Sequence, residues 1–332
     1  MKQYLETYCQ LSFLEHFFDA FPTSTNPFLL EDSGELKAFM QLSELLIKRS
    51  DLLVDKLNDL EEKAKTNPIL KRLLKSSMTG GSRLYDFSKD FDFLMTDLEY
   101  FKQVNPIALH YYTCEPQLSE ERYQEVGSFV NEKNNWKGKI NQLSQAFSLK
   151  VHPKQELNQF KGWVILGNNK LPINAAIIAD NYILKSTKSF EQNIYKIITS
   201  LLPNSLSQNT FHLTIITDKN LVNPKGKFEK VRQFLDKLNK TYSIDFGLFL
   251  TSANKPHDRD IITNYYRIHS GHSLDYFDDN GRINKSSTLD YFGLNAIPNN
   301  PHQLILTEYK RAIKYAKQDF DAFGILKNRL LT

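Results

Sequence analysis

The residues best suited to chemistry lie in one stretch, HDRDIITNYYRIHSGHS, at residues 257–273. His257 and Arg259 stand two residues apart, so on a strand both side chains point to the same side. The strand-like middle of the stretch predicts a hairpin that brings later polar residues back to the same edge. There they could bond phosphate oxygens. The candidate phosphate ligands are therefore His257, Arg259, Asn264, Gly271, His272 and Ser273.

This spacing resembles the phospholipase D-like pattern, in which His-x-Lys is followed by Asp, then Gly, then Ser or Thr. In this chain four residues separate Arg259 from Asn264, and six more separate Asn264 from Gly271. Three further segments add to the resemblance: ADNYILKSTKSFEQNIYKIITSLL, FHLTIITD and IDFGLFLTS. Residues 155–290 thus look like the phospholipase D-like domain at the C-terminus of MIT-domain proteins and in bacterial relatives. We recognise no family in the first half.

The resemblance implies that His257 would be the nucleophile of an active member, attacking phosphorus while a second histidine protonates the leaving group. His269 and His272 are the nearest candidates for that second histidine. Two departures argue against turnover. Arg259 stands where the family has Lys, and Asn264, which cannot stabilise an imidazolium as a carboxylate does, stands where it has Asp.

We therefore expect a phosphodiester-binding protein, with nucleic acid as its ligand and a degenerate active site. One alternative is an active, metal-independent nuclease, which would work as a homodimer because such sites normally need two motifs. A second is a protein–protein scaffold. A third is that Asp258, Arg259 and Arg267 only form a surface ion-pair hairpin. The resemblance also implies a bacterial defence component with other protein subunits as partners, and a membrane role is open through the MIT-associated relatives.

The elements that must position these residues change character along the chain. Leu-rich helical spacing over residues 35–60, with further helical segments to about 150, predicts a mainly helical first domain at 1–150. From residue 155 to 332, short apolar runs alternate with amphipathic helices, which favours an α/β domain. Ligands of such sheets sit at strand ends, and the 257–273 stretch directly follows the predicted strand IDFGLFLTS.

Two other groups of side chains could contact nucleic acid. A basic row on the last predicted helix could follow a phosphate backbone, although taken alone it is better explained as an ordinary solvated helix face. Tyrosines near the motif could stack on bases, although tyrosines often pack across hairpins. The basic row comprises Lys310, Arg311, Lys314 and Lys317, and the tyrosines are Tyr265, Tyr266 and Tyr276.

A different chemistry is weakly suggested by TGGSRLYDFSKDFDFLM, where Asp90 and Asp92 could hold magnesium as in a nucleotidyltransferase. The spacing is shorter than that family uses, and we favour a turn into an acidic surface helix. We expect no metal and no cofactor.

Composition restricts the class of protein. The 332 residues carry a formal net charge of +4, which permits an anionic partner without requiring one. Cys9 and Cys114 make neither a disulfide framework nor a metal motif, which favours a cytoplasmic location. Acidic residues interrupt the apolar N-terminus, unlike a signal peptide, and no apolar run reaches the roughly 20 residues of a membrane helix.

Overall fold

The computed structural model describes thirteen parts of the chain. They are residues 4–19, 34–113, 118–132, 136–154, 156, 160, 162–163, 166, 171–252, 259–283, 285–296, 302–319 and 321–331. The chain divides into two compact units. The first comprises Met1–Gln145 with Asn295–Asn300, and the second Ala146–Leu294 with Pro301–Thr332. Within the described residues, no helix is both long enough and apolar enough to cross a membrane.

The first unit is built on a five-stranded parallel sheet with the strand order β3-β2-β1-β4-β5. Its strands are β1 (Leu5–Cys9), β2 (Ser50–Val54), β3 (Arg83–Asp86), β4 (Leu109–Tyr112) and β5 (Phe129–Glu132). Its helices are α1 (Leu11–Asp19), α2 (Gly34–Lys48), α3 (Leu57–Lys63), α4 (Pro68–Met78), α5 (Phe91–Thr96), α6 (Leu98–Gln103), α7 (Glu120–Val126) and α8 (Trp136–Leu143). Strands and helices alternate, as parallel connections require.

The prediction of a mainly helical first domain missed this sheet. The helix expected over residues 35–60 ends at Lys48, and β2 follows at Ser50–Val54 between β1 and β3. The Ser50 backbone N–H donates to Ser82 Oγ at 2.8 Å, which fixes the start of this strand. The strands hold four or five residues each, too few for a strand pattern to stand out against helical spacing on either side.

The second unit is built on an eight-stranded mixed sheet with the order β13-β9-β8-β7-β10-β11-β12-β6. Strands β7, β8 and β9 run parallel, and the remaining neighbours pair antiparallel. The strands are β6 (Ala146–Val151), β7 (Ala175–Ala179), β8 (Phe211–Asp218), β9 (Ile244–Thr251), β10 (Asp260–Thr263), β11 (Tyr266–Ser270), β12 (Ser287–Gly293) and β13 (Ala322–Gly324). The helices are α9 (Ile194–Leu201), α10 (Pro224–Asp236) and α11 (His302–Gln318).

Helices cover both faces of this sheet. Phe228 of α10 stacks on Phe246 of β9, with ring centroids 5.1 Å apart. Lys317 of α11 lies 5.7 Å from the centroid of the Phe249 ring on the same strand. Residues three apart on a strand point to opposite faces, so α10 and α11 pack on opposite sides. The α/β class predicted for the second half is confirmed.

Two local features of this unit depart from simple sequence patterns. Gly162, Trp163 and Leu166 belong to an apolar run, yet they have helical backbone. Helix α9 begins at Ile194, so Ser189 does not cap its start. Ser189 Oγ instead donates to Asp275 at 3.0 Å, a partner distant in the sequence.

Candidate functional site

The hairpin predicted from the 257–273 stretch is present. Strands β10 and β11 pair antiparallel, with Asp260 opposite His269 and Ile262 opposite Arg267. The Ser270 backbone N–H donates to the Arg259 carbonyl at 2.8 Å, which extends the ladder by one residue. His257 and Asp258 lie outside the described residues, so the predicted nucleophile has no structural description.

Because side chains alternate in direction along an extended chain, the neighbouring residues Arg259 and Asp260 point to opposite faces of the sheet. On the α11 face, the fully buried Asp260 accepts bonds from three side chains. Arg267 donates through Nε at 2.9 Å, His269 Nδ1 lies at 3.0 Å, and the Tyr309 hydroxyl donates at 2.9 Å. We call these four residues the Asp260 cluster. Its members satisfy one another, as buried charges must.

The Asp260 cluster settles two expectations. Arg267 is buried against Asp260, so it is not part of a surface ion-pair hairpin. His269 is held by the same carboxylate on the α11 face, so it is not the second imidazole beside Arg259. Tyr265 and Tyr266 are likewise buried, at 1% and 0% exposure, and cannot stack on a base.

Arg259 and Asn264 flank the two opposite ends of strand β10. Strand β10 runs antiparallel to β7, with Asp260 opposite Ala179 and Thr263 opposite Ala176. The fully buried Asn264 amide accepts bonds from the backbone N–H groups of Asn174 and Ala175, each at 3.0 Å. It also donates to Asn174 Oδ1 at 2.9 Å. Asn264 therefore fixes the entry to β7, and the structure does not bring it to the phosphate-binding candidates.

A cleft of about 700 Å³ opens at the edge of the sheet where the parallel strand β7 ends. It brings together three of the predicted site residues, Arg259, His272 and Ser273. Gly271, directly before His272, is exposed, and its backbone N–H donates to the Thr288 carbonyl at 3.1 Å. Sequence reasoning missed the other lining side chains that could meet a ligand: Tyr182, Lys185, Ser186, Ser189, Asp275, Asp278, Asp279, Asn280 and Lys285.

Asp180, the residue after β7, organises one wall of this cleft. Its buried carboxylate accepts bonds from the Tyr182 N–H at 2.7 Å, the Ser273 hydroxyl at 2.8 Å and the Leu274 N–H. Burial raises the pKa of Asp180, while these bonds and the Arg259 charge act in the opposite direction. The Ser273 hydroxyl proton is thus committed to Asp180, so in this arrangement Ser273 shapes the wall instead of donating to a phosphate.

Asp275 is a second acid of the cleft with a raised pKa. It accepts bonds from Ser189 Oγ at 3.0 Å and Asn193 Nδ2 at 2.7 Å. Burial raises its pKa to about 7, and the negative charges of Asp180 and Asp279 act in the same direction. Near neutral pH a fraction of Asp275 is therefore uncharged, which reduces the repulsion of an anion in the cleft.

Three cationic side chains line the cleft: Arg259, Lys185 and Lys285. Both lysines are exposed, whereas Arg259 is partly buried. Arg259 Nε is shielded from solvent and has no hydrogen-bond partner within the described part of the chain. Arg259 nevertheless lines the cleft, and a planar guanidinium is suited to a phosphate or carboxylate oxygen.

The basic row of α11 does not join this lining. Its four side chains are exposed, but α11 packs on the face that holds the Asp260 cluster. Lys317 is also partly engaged, donating to the Leu326 carbonyl at 2.6 Å. The structure therefore does not continue the phosphate site onto Lys310, Arg311, Lys314 and Lys317, because none of these four side chains lines the cleft.

The magnesium candidate does not assemble. Asp90 and Asp92 lie at the start of α5 with exposed side chains. Ser82 is buried and bonds the start of β2. In the part of the chain that the structure covers, no cluster of three or more His, Cys, Asp or Glu side chains could hold a metal ion.

No family model and no curated protein matches the chain. Among solved structures, it is similar to TrmBL2, an archaeal chromatin protein described as showing a novel mode of DNA binding. That match has 12% identity, a TM-score of 0.26, and covers 54% of each chain. It is also similar to phosphatidylserine synthase from Haemophilus influenzae Rd KW20, with 13% identity and a TM-score of 0.32. That match covers 58% of this chain and 47% of the other. The matched part spans about half of each neighbour.

Proposed function

We propose that the cleft beside β7 binds a phosphate group of a nucleic acid and holds it without cleaving it. One observation carries the proposal: Arg259, Lys185 and Lys285 place three cationic side chains along the lining of one cleft. Arginine and lysine are the usual phosphate ligands of nucleic-acid-binding proteins.

The acidic residues of the cleft limit the number of phosphate groups that it suits. The Asp278 carboxylate accepts bonds from the backbone N–H groups of Asn280 at 2.9 Å and Arg282 at 3.0 Å, so part of its charge is compensated. Asp275 is partly neutral at pH 7. Asp279 remains an exposed negative charge. This mixture suits one or two phosphate groups next to Arg259 and disfavours a long, purely electrostatic contact.

Equilibrium binding tests the proposal. Labelled single- and double-stranded oligonucleotides are titrated in EDTA at several salt concentrations, with wild-type protein and two variants of equal charge change. We expect Arg259→Ala to weaken binding at least about tenfold, the loss of one charge-assisted bond. The matched control Arg311→Ala, on α11, should change it less than twofold. Equal losses in both variants, or no oligonucleotide binding at low salt, would overturn the proposal.

Two further measurements distinguish nucleic acid from a lipid headgroup as the source of the phosphate, and binding from cleavage. Vesicles containing phosphatidic acid, bound through Arg259 in preference to oligonucleotides, would replace nucleic acid by a lipid headgroup. The gel that resolves the bound oligonucleotide also reports its length. Cleavage that persists in EDTA and disappears in His257→Ala would establish the nuclease instead. A chain that binds none of these phosphates would support the scaffold interpretation.

A further inference from the structure

An exposed aromatic ring lies in the same cleft as Arg259. Tyr182 is 44% exposed and lines the cleft. The other described aromatic residues of the lining, Tyr276 and Phe277, are only 6% and 2% exposed and belong to the core. An exposed aromatic ring in the same cleft as a candidate phosphate ligand is placed where it could contact the same bound molecule.

The loop that carries Tyr182 is fixed at both ends. The Tyr182 N–H donates to Asp180 Oδ1 at 2.7 Å, and the Tyr182 carbonyl accepts from the Lys185 N–H at 2.8 Å. From α10, the Lys227 ammonium donates to the carbonyls of Leu184 at 2.5 Å and Lys185 at 2.7 Å. The ring therefore sits on a held backbone, so little conformational freedom is lost when a ligand binds.

The charges around the ring match a nucleotide. Lys185 Nζ lies 5.7 Å from the Tyr182 ring centroid, close enough for a cation–π contact. The same ammonium lines the cleft with Arg259. An aromatic face for a base and cations for the flanking phosphates are the two parts from which proteins build sites for single strands.

We propose that Tyr182 stacks on an unpaired nucleobase, so that the cleft selects single-stranded nucleic acid over duplex. The proposal rests on the proposed phosphate site at Arg259 and adds the class of its ligand. In a duplex each base is already stacked and paired, and reaching Tyr182 would require it to be flipped out at a cost. Because every base has a π-face, stacking alone predicts binding that tolerates changes of sequence.

The test compares two variants on two single strands of equal length, one normal and one containing abasic sites throughout its centre. We expect Tyr182→Ala to weaken binding of the normal strand about tenfold, within the range of single-base stacking. Tyr182→Phe should stay within about twofold of wild type, because it keeps the ring. Neither variant should change binding of the abasic strand. Tyr182 is exposed, so both variants should melt as wild type does.

The outcomes distinguish this inference from the proposed function. If Tyr182→Ala binds the normal strand as wild type does while Arg259→Ala does not, the stacking inference fails and the phosphate site stands. If wild type prefers duplex, or binds normal and abasic strands equally, the inference fails in the same way. If wild type binds no oligonucleotide at all, both proposals fail together.

Discussion

Arg259 and Asp260 are adjacent in the chain and belong to two different kinds of site. Asp260 faces α11, fully buried, with Arg267, His269 and Tyr309 as hydrogen-bond partners. Arg259 lines the cleft on the other side of the strand. Both residues come from the same short stretch of the sequence. A polar group whose partners all lie within the fold has a structural role, whereas a cation that lines an open cleft can bind an anionic ligand.

The largest expected effect is on the free energy of unfolding, when the Asp260 cluster is disrupted. Asp260→Ala leaves the buried Arg267 without its carboxylate, and removing one partner of a buried pair costs about 3–5 kcal/mol. Urea denaturation should show this loss of unfolding free energy. Arg259→Ala is the matched control and should lose less than about 1 kcal/mol, since Arg259 is only partly buried and lines an open cleft. A larger loss of unfolding free energy in Arg259→Ala would contradict the distinction between a structural Asp260 and a ligand-binding Arg259.

Next in size is the effect of Asn264. Asn264→Ala removes three buried hydrogen bonds at the entry to β7 and should destabilise the protein by about 1–3 kcal/mol. The folded fraction should bind oligonucleotide with unchanged affinity, measured below the unfolding transition. A loss of oligonucleotide affinity with unchanged stability would instead show that Asn264 acts in phosphate binding.

A smaller effect concerns pH. The folded-state pKa of Asp275 is about 7, above its ordinary value of 3.8, so the folded protein keeps a proton that the unfolded chain releases. The contribution of Asp275 to stability therefore falls as pH rises from about 4 to about 7 and is constant above that range. Asp275→Asn should flatten this decline and be more stable than wild type at pH 8. Denaturation at pH 5 and pH 8 measures it; an unchanged difference between the two pH values would argue against it.

The smallest expected effect belongs to α11. The double change Lys310→Ala with Lys314→Ala should lower oligonucleotide affinity less than about twofold at physiological salt, because these exposed charges do not line the cleft. The oligonucleotide titration used for Arg259→Ala measures this change directly. A loss as large as that of Arg259→Ala would mean that the ligand reaches both faces.

The sequence by itself determined the hairpin, the α/β class of the second unit and the position of the 257–273 stretch at a strand end. Alternation of side chains and short apolar runs are local properties, so they can be read along the chain. They did not reveal the sheet of the first unit, because its strands are short and lie between helices. Nor could they place Asp180, although a carboxylate directly after a buried parallel strand is a usable signal.

Tertiary structure alone decided which polar residues share a site. Asp275 meets Ser189 and Asn193 across more than 80 residues of chain, and Asp260 meets Tyr309 across 49. Only these contacts show that His269 and Asn264 are structural while Tyr182 and Lys185 join Arg259 in the cleft. Spacing fixes the direction of a side chain relative to its neighbours. Burial and partners, which decide whether that side chain is free for a ligand, depend on elements distant in sequence.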